Sequence, residues 1–377
     1  MKKNTFKIVV LAALSSFAAS FSFASDISKF DPRMAVESAK IQGDIKWFDA
    51  KFLPIEGKAF TNTATYFERL PANVTTNVNS GVRHLKTHTS GMQLRFVTDS
   101  KRLVFKWVPR NPSLAMDHMP STGVSGIDVY KLTENGWRYV ATGRIRSSKG
   151  GELSIPWVPG AACLVNLPLY NGIKSMEVGV EKNATISPPP PRASGVKKSV
   201  VFYGTSITHG GCASRPGLSF VNILGREIDV PVVNLGFSGS GKMEMEMSEH
   251  VSSIDASCYV LDCLWNMTSK MVKERYEPFI RNLRAKRPDV PIIMAGQCDV
   301  YYQVGKKSRF ADKEDFTKAL YEKLCKEGWK KLYYLPFDRQ LSHDLEGTVD
   351  GCHPNDLGMR DMAKAFGEAV ATALELK

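Results

Sequence analysis

Four consecutive prolines, Pro188 to Pro191, stop any helix or strand ladder that reaches them, because each lacks a backbone N–H and holds φ at about −65°. The chain of 377 residues therefore divides there, with residues 187–196 reading as a stiff linker between two units. Before it, segments such as MQLRFVT (92–98), RLVFKWV (102–108), WRYVATGRI (137–145) and KSMEVGV (174–180) alternate apolar and polar residues, the period of half-buried strands. No long amphipathic pattern interrupts them. Residues 25–186 are thus predicted to form an antiparallel β-sandwich of jelly-roll type.

After the linker the period changes. SVVFYG, VPVVNLG, CYVLDCL, VPIIMAG and KLYYLPF are short, continuously apolar runs, as expected for parallel strands covered on both faces. Helical patterns separate them at 218–227, 242–253, 270–286 and 312–327, with a last one at about 356–376. Strands alternating with helices give a three-layer αβα (flavodoxin-like) fold over residues 197–377. In such sheets, ligands gather beyond the carboxyl ends of the strands.

The start of the chain has a lysine-bearing stretch, an apolar run and a Ser22-Phe23-Ala24 end, the layout of a secretory signal peptide over residues 1–24. A retained anchor is the weaker reading. No later segment has the length of a membrane span, and no cysteine follows the cleavage site to accept lipid. The expectation is an exported protein, periplasmic or extracellular. Its net charge of +12 is scattered rather than gathered into an arm or nucleic-acid motif. A solvated basic surface, which would suit an anionic polysaccharide, is the reading favoured over nucleic-acid binding.

Seven cysteines cannot all pair, and they lack the paired spacing of a zinc site, so neither a metal nor any other cofactor is expected from them. Cys258 and Cys263 would stand roughly 16 Å apart on one strand, too far to bridge. Cys212 and Cys352 flank the candidate catalytic segments and are the one pairing weighed.

VVFYGTSITHGG (200–211) carries the chemistry. It fits neither a phosphate loop, for which His209 would have to be glycine, nor the nucleophile elbow of α/β-hydrolases, where Thr208 stands in place of the second glycine. What remains is Ser206 exposed by a turn after a strand. Later strand ends deliver Asn234-Leu235-Gly236-Phe237-Ser238-Gly239, then Leu264-Trp265-Asn266-Met267, and finally Asp350-Gly351-Cys352-His353. A serine hydroxyl needs a base, and the base an orienting carboxylate; His353 and Asp350, three residues apart, can supply both. Gly239 and the Asn266 amide could donate to a developing oxyanion.

These segments resemble the blocks of the SGNH (GDSL-like) hydrolase superfamily: Ser206 in the first, Gly239 in the second, Asn266 in the third, and Asp350 with His353 in the DxxH block. Gly126-Ile127-Asp128-Val129-Tyr130 is similar to the GxDLY signature of the β-sandwich that precedes a bacterial subgroup of these enzymes. The sequence departs from the pattern at Thr205, where GDS has aspartate, and at Leu264 and Met267, which flank Trp265-Asn266 in place of GxND. The resemblance implies a cofactor-free, two-step acyl transfer in which the amides of Ser206 and Gly239 and the Asn266 side chain hold the oxyanion.

Each residue has a plainer reading. A serine after a strand is most often a helix cap, and His343-Asp344 is a rival to the Asp350–His353 pair, although adjacent side chains diverge in extended chain. His209 is expected to line the pocket or to serve as a hydrogen-bonder, Trp265 to stack on a sugar or pack in the wall, Asn234 to fix a turn, Asp262 to satisfy local donors, and Met243, Met245 and Met247 to pack. The implied substrate is an acylated small molecule or polysaccharide, with short-chain, acetyl esters of carbohydrate favoured. A lipid or thioester acylhydrolase and a catalytically silent carbohydrate-binding protein are the alternatives. The sequence sets no oligomeric state.

Overall fold

The computed structural model describes residues 40–298, 311–342 and 344–376. The signal-peptide expectation and His343 lie outside the described residues. The first half has eleven strands: β1 (Lys40–Gln42), β2 (Ile45–Asp49), β3 (Ile55–Glu56), β4 (Gln93–Thr98), β5 (Arg102–Pro109), β6 (Ile127–Thr133), β7 (Gly136–Gly143), β8 (Gly151–Pro156), β9 (Ala162–Asn166), β10 (Ile173–Glu181) and β11 (Ile186–Ser187). They form two antiparallel sheets, ordered β1-β2-β10-β5-β8 and β11-β4-β9-β6-β7, with β3 added against β4. Alternation builds the core between them: Leu103, Phe105 and Trp107 of β5 all turn inward and are buried together with Leu94 and Phe96 of β4. Short helices α1 (Ser80–Leu85) and α2 (Ser121–Val124) lie in the connections.

The described residues of the second half form five parallel strands, β12 (Val200–Gly204), β13 (Val232–Gly236), β14 (Cys258–Asp262), β15 (Ile292–Ala295) and β16 (Leu332–Leu335), in the order β13-β12-β14-β15-β16. Helices α3 (Ser206–His209), α4 (Phe220–Glu227), α5 (Met245–Ser253), α6 (Ser269–Lys286), α7 (Ala311–Lys326) and α8 (Asp356–Ala373) complete the three layers. Residues of one strand serve both faces: Val201 and Tyr203 pack with Met247, Tyr276 and Phe279, while Val200 and Phe202 pack with Phe220, Met362 and Phe366. Burying each such side chain contributes roughly 1.5–3 kcal/mol, so both faces hold the sheet. The order reverses at β12, which opens a crevice at the carboxyl ends of β12 and β14.

The halves interlock. The β3–β4 connection, read from sequence as part of the sandwich, sends Leu70, Val78 and Val82 into the same buried cluster as α5 and α6. The proline run is no free tether: Ser187 is still paired in β11, Arg95 donates to Pro190 O (3.3 Å), and Arg192 binds Glu56 and Asp229. The Gly126–Tyr130 signature is a latch. Buried Asp128 accepts from Arg215 (2.7 Å) and the Gly217 amide (2.8 Å), while Tyr130 OH accepts from Arg215 (2.5 Å) and its ring lies under Arg226 (4.0 Å). A Cβ at Gly126 would meet Thr122 O at 2.5 Å, so only glycine admits this approach.

Candidate active site

Ser206 opens α3 directly after β12. Thr205, in the place of the usual aspartate, caps the helix by accepting from the Ile207 amide (3.2 Å). Gly204 lets the turn close: a Cβ there would meet Thr208 Oγ1 at 2.0 Å and Asp262 O at 2.8 Å. Ser206 Oγ lies 2.9 Å from His353 Nε2, and His353 Nδ1 lies 2.7 Å from Asp350 Oδ2.

The loop carrying His353 folds around Asp350. Its Oδ1 accepts from the amides of Cys352 (3.0 Å) and His353 (2.7 Å), which leaves Oδ2 for the ring. Partial burial pushes the Asp350 carboxyl up, but the hydrogen bonds from His353 and Cys352 outweigh it and hold the group below its ordinary value. Since Oδ2 of a carboxylate only accepts, Nδ1 carries a hydrogen and Nε2 is left to accept from Ser206. Asn355 then ends the loop by capping α8.

The residues expected from sequence to donate to an oxyanion, Ser206, Gly239 and Asn266, follow the carboxyl ends of β12, β13 and β14. The Ser206 and Gly239 amides donate to no acceptor among the described residues; Gly239 sits at φ +65°. Asn266 closes a 3₁₀ turn after β14, and one N–H of its amide donates to Phe237 O (3.1 Å), tying the two loops and leaving the second N–H. Asn234 fixes the preceding turn, donating to Thr208 O (2.6 Å) and accepting from the Gly236 amide (2.8 Å). Two clefts, one beside β16 and α8 and one beneath the proline strap, contain none of these residues. Strand ends and chemistry, rather than cavity size, locate the site.

Residues 197–371 match the GDSL-like Lipase/Acylhydrolase family, and residues 45–186 match the GxDLY N-terminus of SGNH-hydrolase-type esterases. The chain is 33% identical to a GDSL-like lipase of Bacteroides ovatus, over 89% of this chain and 99% of that one, with a TM-score of 0.80. The chain belongs to the SGNH (GDSL-like) esterase family. A salicylyl-acyltransferase from a tetracycline biosynthetic pathway shares the fold at 18% identity (TM-score 0.69, 86% of this chain, 96% of that one). So does a family two carbohydrate esterase from Cellvibrio japonicus, at 11% identity (TM-score 0.56, 88% and 98%). No curated protein matches the chain.

In this SGNH hydrolase three sequence expectations need correction. His209 is a hydrogen-bonder and not a pocket-wall residue: its ring is wholly buried, with Nε2 2.8 Å from Leu169 O and Nδ1 accepting from the Ser238 amide (3.4 Å). A carbonyl only accepts and an amide only donates, so the ring is neutral, and burial, with Arg69 and His88 nearby, holds it well below the usual imidazole range. The pairing weighed for Cys212 and Cys352 is not formed: no disulfide joins any of the cysteines among the described residues. Of the three methionines expected to pack, Met243 and Met247 do, but Met245 is exposed. Trp265 is half-buried and donates to Cys298 O (2.9 Å), and buried Asp262 accepts from Thr208 Oγ1 (2.6 Å).

The first half also supplies residues with no local signature. Tyr170 OH donates to Ser206 O (3.0 Å), and its ring stacks on His209 at 4.2 Å. His209 in turn meets His88 (3.3 Å). Arg69, buried and with no carboxylate against it among the described residues, donates to Asn234 O (3.1 Å), Gly236 O (2.7 Å) and Leu85 O (2.8 Å), and lies 4.7 Å from the Phe237 ring centroid. Exposed His118 stands at the rim, its ring 5.7 Å from that of His353.

Proposed function

We propose that this chain is an exported serine esterase that removes short acyl groups, acetyl above all, from carbohydrate. The supporting observation is the continuous chain of contacts from Ser206 Oγ to His353 Nε2 (2.9 Å) and from His353 Nδ1 to Asp350 Oδ2 (2.7 Å). His353 takes the Ser206 proton as Oγ attacks the ester carbonyl. The developing oxyanion receives hydrogen bonds from the Ser206 and Gly239 amides and the remaining Asn266 N–H. His353 returns its proton to the leaving alcohol, and water, activated the same way, releases the carboxylic acid and restores Ser206.

Several features favour a short acyl group on a sugar. The His353 side chain keeps 22% of its surface open to solvent, as a site for large hydrophilic alcohols requires, and half-buried Trp265 beside the oxyanion asparagine offers an aromatic edge. The leader-like residues 1–24 favour export.

The test is release of p-nitrophenol from acetyl through octanoyl esters by residues 25–377 and by the Ser206→Ala variant. The expected result is turnover that falls with chain length and drops by several orders of magnitude in the variant. Turnover that rises with chain length would replace this reading with a lipid acylhydrolase; equal rates in the two proteins would remove the serine mechanism.

A further inference from the structure

Three side chains from separate segments converge on the outer face of the site. His118 comes from the loop before α2, Cys212 from the turn that closes α3, and His353 from the loop before α8. One ring nitrogen of His118, Cys212 Sγ and one ring nitrogen of His353 lie within 4.8 Å of one another. We propose that these residues form an inhibitory site for a borderline-soft divalent cation of the Zn²⁺ type, which switches hydrolysis off; the inference rests on the role assigned above to His353.

Two imidazoles and a thiolate are a recognised zinc donor set, and three protein ligands leave a position for water. Zn–N of about 2.0–2.1 Å and Zn–S of about 2.3 Å in a tetrahedron put donors roughly 3.3–3.6 Å apart, so from within 4.8 Å of one another the three need draw together by at most roughly 1.5 Å. Exposed His118 can make that movement. Cys212 cannot easily swing away. Its φ of +73° is a left-handed conformation rare for a residue with a side chain, and the Ala213 amide closes the turn around it onto Gly210 O (3.2 Å). Such strain is retained where the surroundings over-determine it, often at functional sites. Coordination displaces the thiol proton to solvent and leaves both imidazoles neutral, so one Zn²⁺ binds and one H⁺ is released.

Inhibition follows from the geometry of His353. Its Nε2 faces Ser206 and its Nδ1 faces Asp350. Whichever nitrogen the cation takes, one of these contacts is lost, and the lone pair that would receive the serine proton is shared with the metal or displaced from Ser206. The cysteine spacing in the sequence gives no hint of this, because the donors are 94 residues (His118 to Cys212) and 141 residues (Cys212 to His353) apart.

The experiment titrates residues 25–377 with Zn²⁺ while following ester turnover, and in parallel with Co²⁺ while following thiolate-to-cobalt charge-transfer absorption. His118→Ala and Cys212→Ser are the variants, each referred to its own metal-free rate. The expected outcome is loss of wild-type turnover that EDTA restores, at least tenfold more Zn²⁺ needed in either variant, and an absorption band that Cys212→Ser abolishes. Equal Zn²⁺ sensitivity in all three proteins, or a wild type with no thiolate band, overturns the proposal. If no protein turns over ester even without metal, the esterase reading fails, yet the cobalt band and its loss in Cys212→Ser still decide the metal site.

Discussion

Ser206 has two unlike sides. Toward solvent stand His353 and Asp350, partly exposed, three residues apart, and built by one loop that folds on its own carboxylate. Toward the interior stand Tyr170, His209, His88 and Arg69, brought together from both halves of the chain; the two imidazoles and the guanidinium are almost wholly inaccessible. Burial, with Arg69 adding to it, keeps His88 down at about 3 and His209 well below its usual range. The difference separates two demands. Groups proposed to exchange protons must meet substrate and water, whereas groups that hold the main chain around Ser206 serve best neutral and fixed, apart from one cation caged by carbonyls.

That separation can be broken by measurement. On the solvent side Asp350→Asn should lower kcat/KM by about 10⁴-fold while leaving Tm within a degree or two of the parent. A fall in Tm as large as that of an interior variant would show that the loop is scaffold as well. On the interior side Arg69→Met leaves Asn234 O, Gly236 O and Leu85 O without their donor, and should cost about 3–5 kcal/mol. Calorimetry reads it as a lower Tm, expected even where kcat of the surviving folded enzyme changes little; an unchanged Tm would mean the guanidinium is dispensable.

Asp262 sharpens the contrast through pH. Burial raises its carboxyl to about 7, opposed by the hydrogen bond from Thr208. The folded state then holds a proton that the unfolded chain, with an ordinary value of about 3.9, releases between those two pH values. Stability contributed by this proton is present at low pH and is lost as pH rises through about 7. Wild type should therefore gain on Asp262→Asn, by up to about 2.6 kcal/mol, as pH drops from 8 to 5, and parallel Tm curves would reject the shift. The smallest effect is expected from Tyr170→Phe. Losing one hydrogen bond to Ser206 O costs about 1 kcal/mol, seen as a several-fold drop in kcat with KM held.

The same contrast decides what could be read before the fold was known. The parallel strands were legible because each is a continuous apolar run, and the Asp350–His353 pair because its contacts are local. The sandwich strands RLVFKWV and KSMEVGV were legible from alternation, but β9, buried on both faces, carries none. Tyr170 and Arg69 were invisible: their partners lie 36 and 165 residues along the chain, and no period marks them. The pocket-wall reading of His209 failed for that reason, since His88, Leu169 and Tyr170, which help to cover its ring, belong to the other half. Asp128 and Tyr130 were visible only as a signature, without the partners Arg215, Gly217 and Arg226 that explain it.

The reach of Arg69 also sets a timetable for biosynthesis. At about 5–20 residues per second, a ribosome makes Asn234, 165 residues downstream, roughly 8 to 33 s after Arg69. Throughout that interval the guanidinium has water where its carbonyls will be, and Leu70, Val78 and Val82 have no α5 or α6 to cover them. The first half of this enzyme, though synthesised first, cannot finish folding first; the β3–β4 connection must wait for the sheet it will brace.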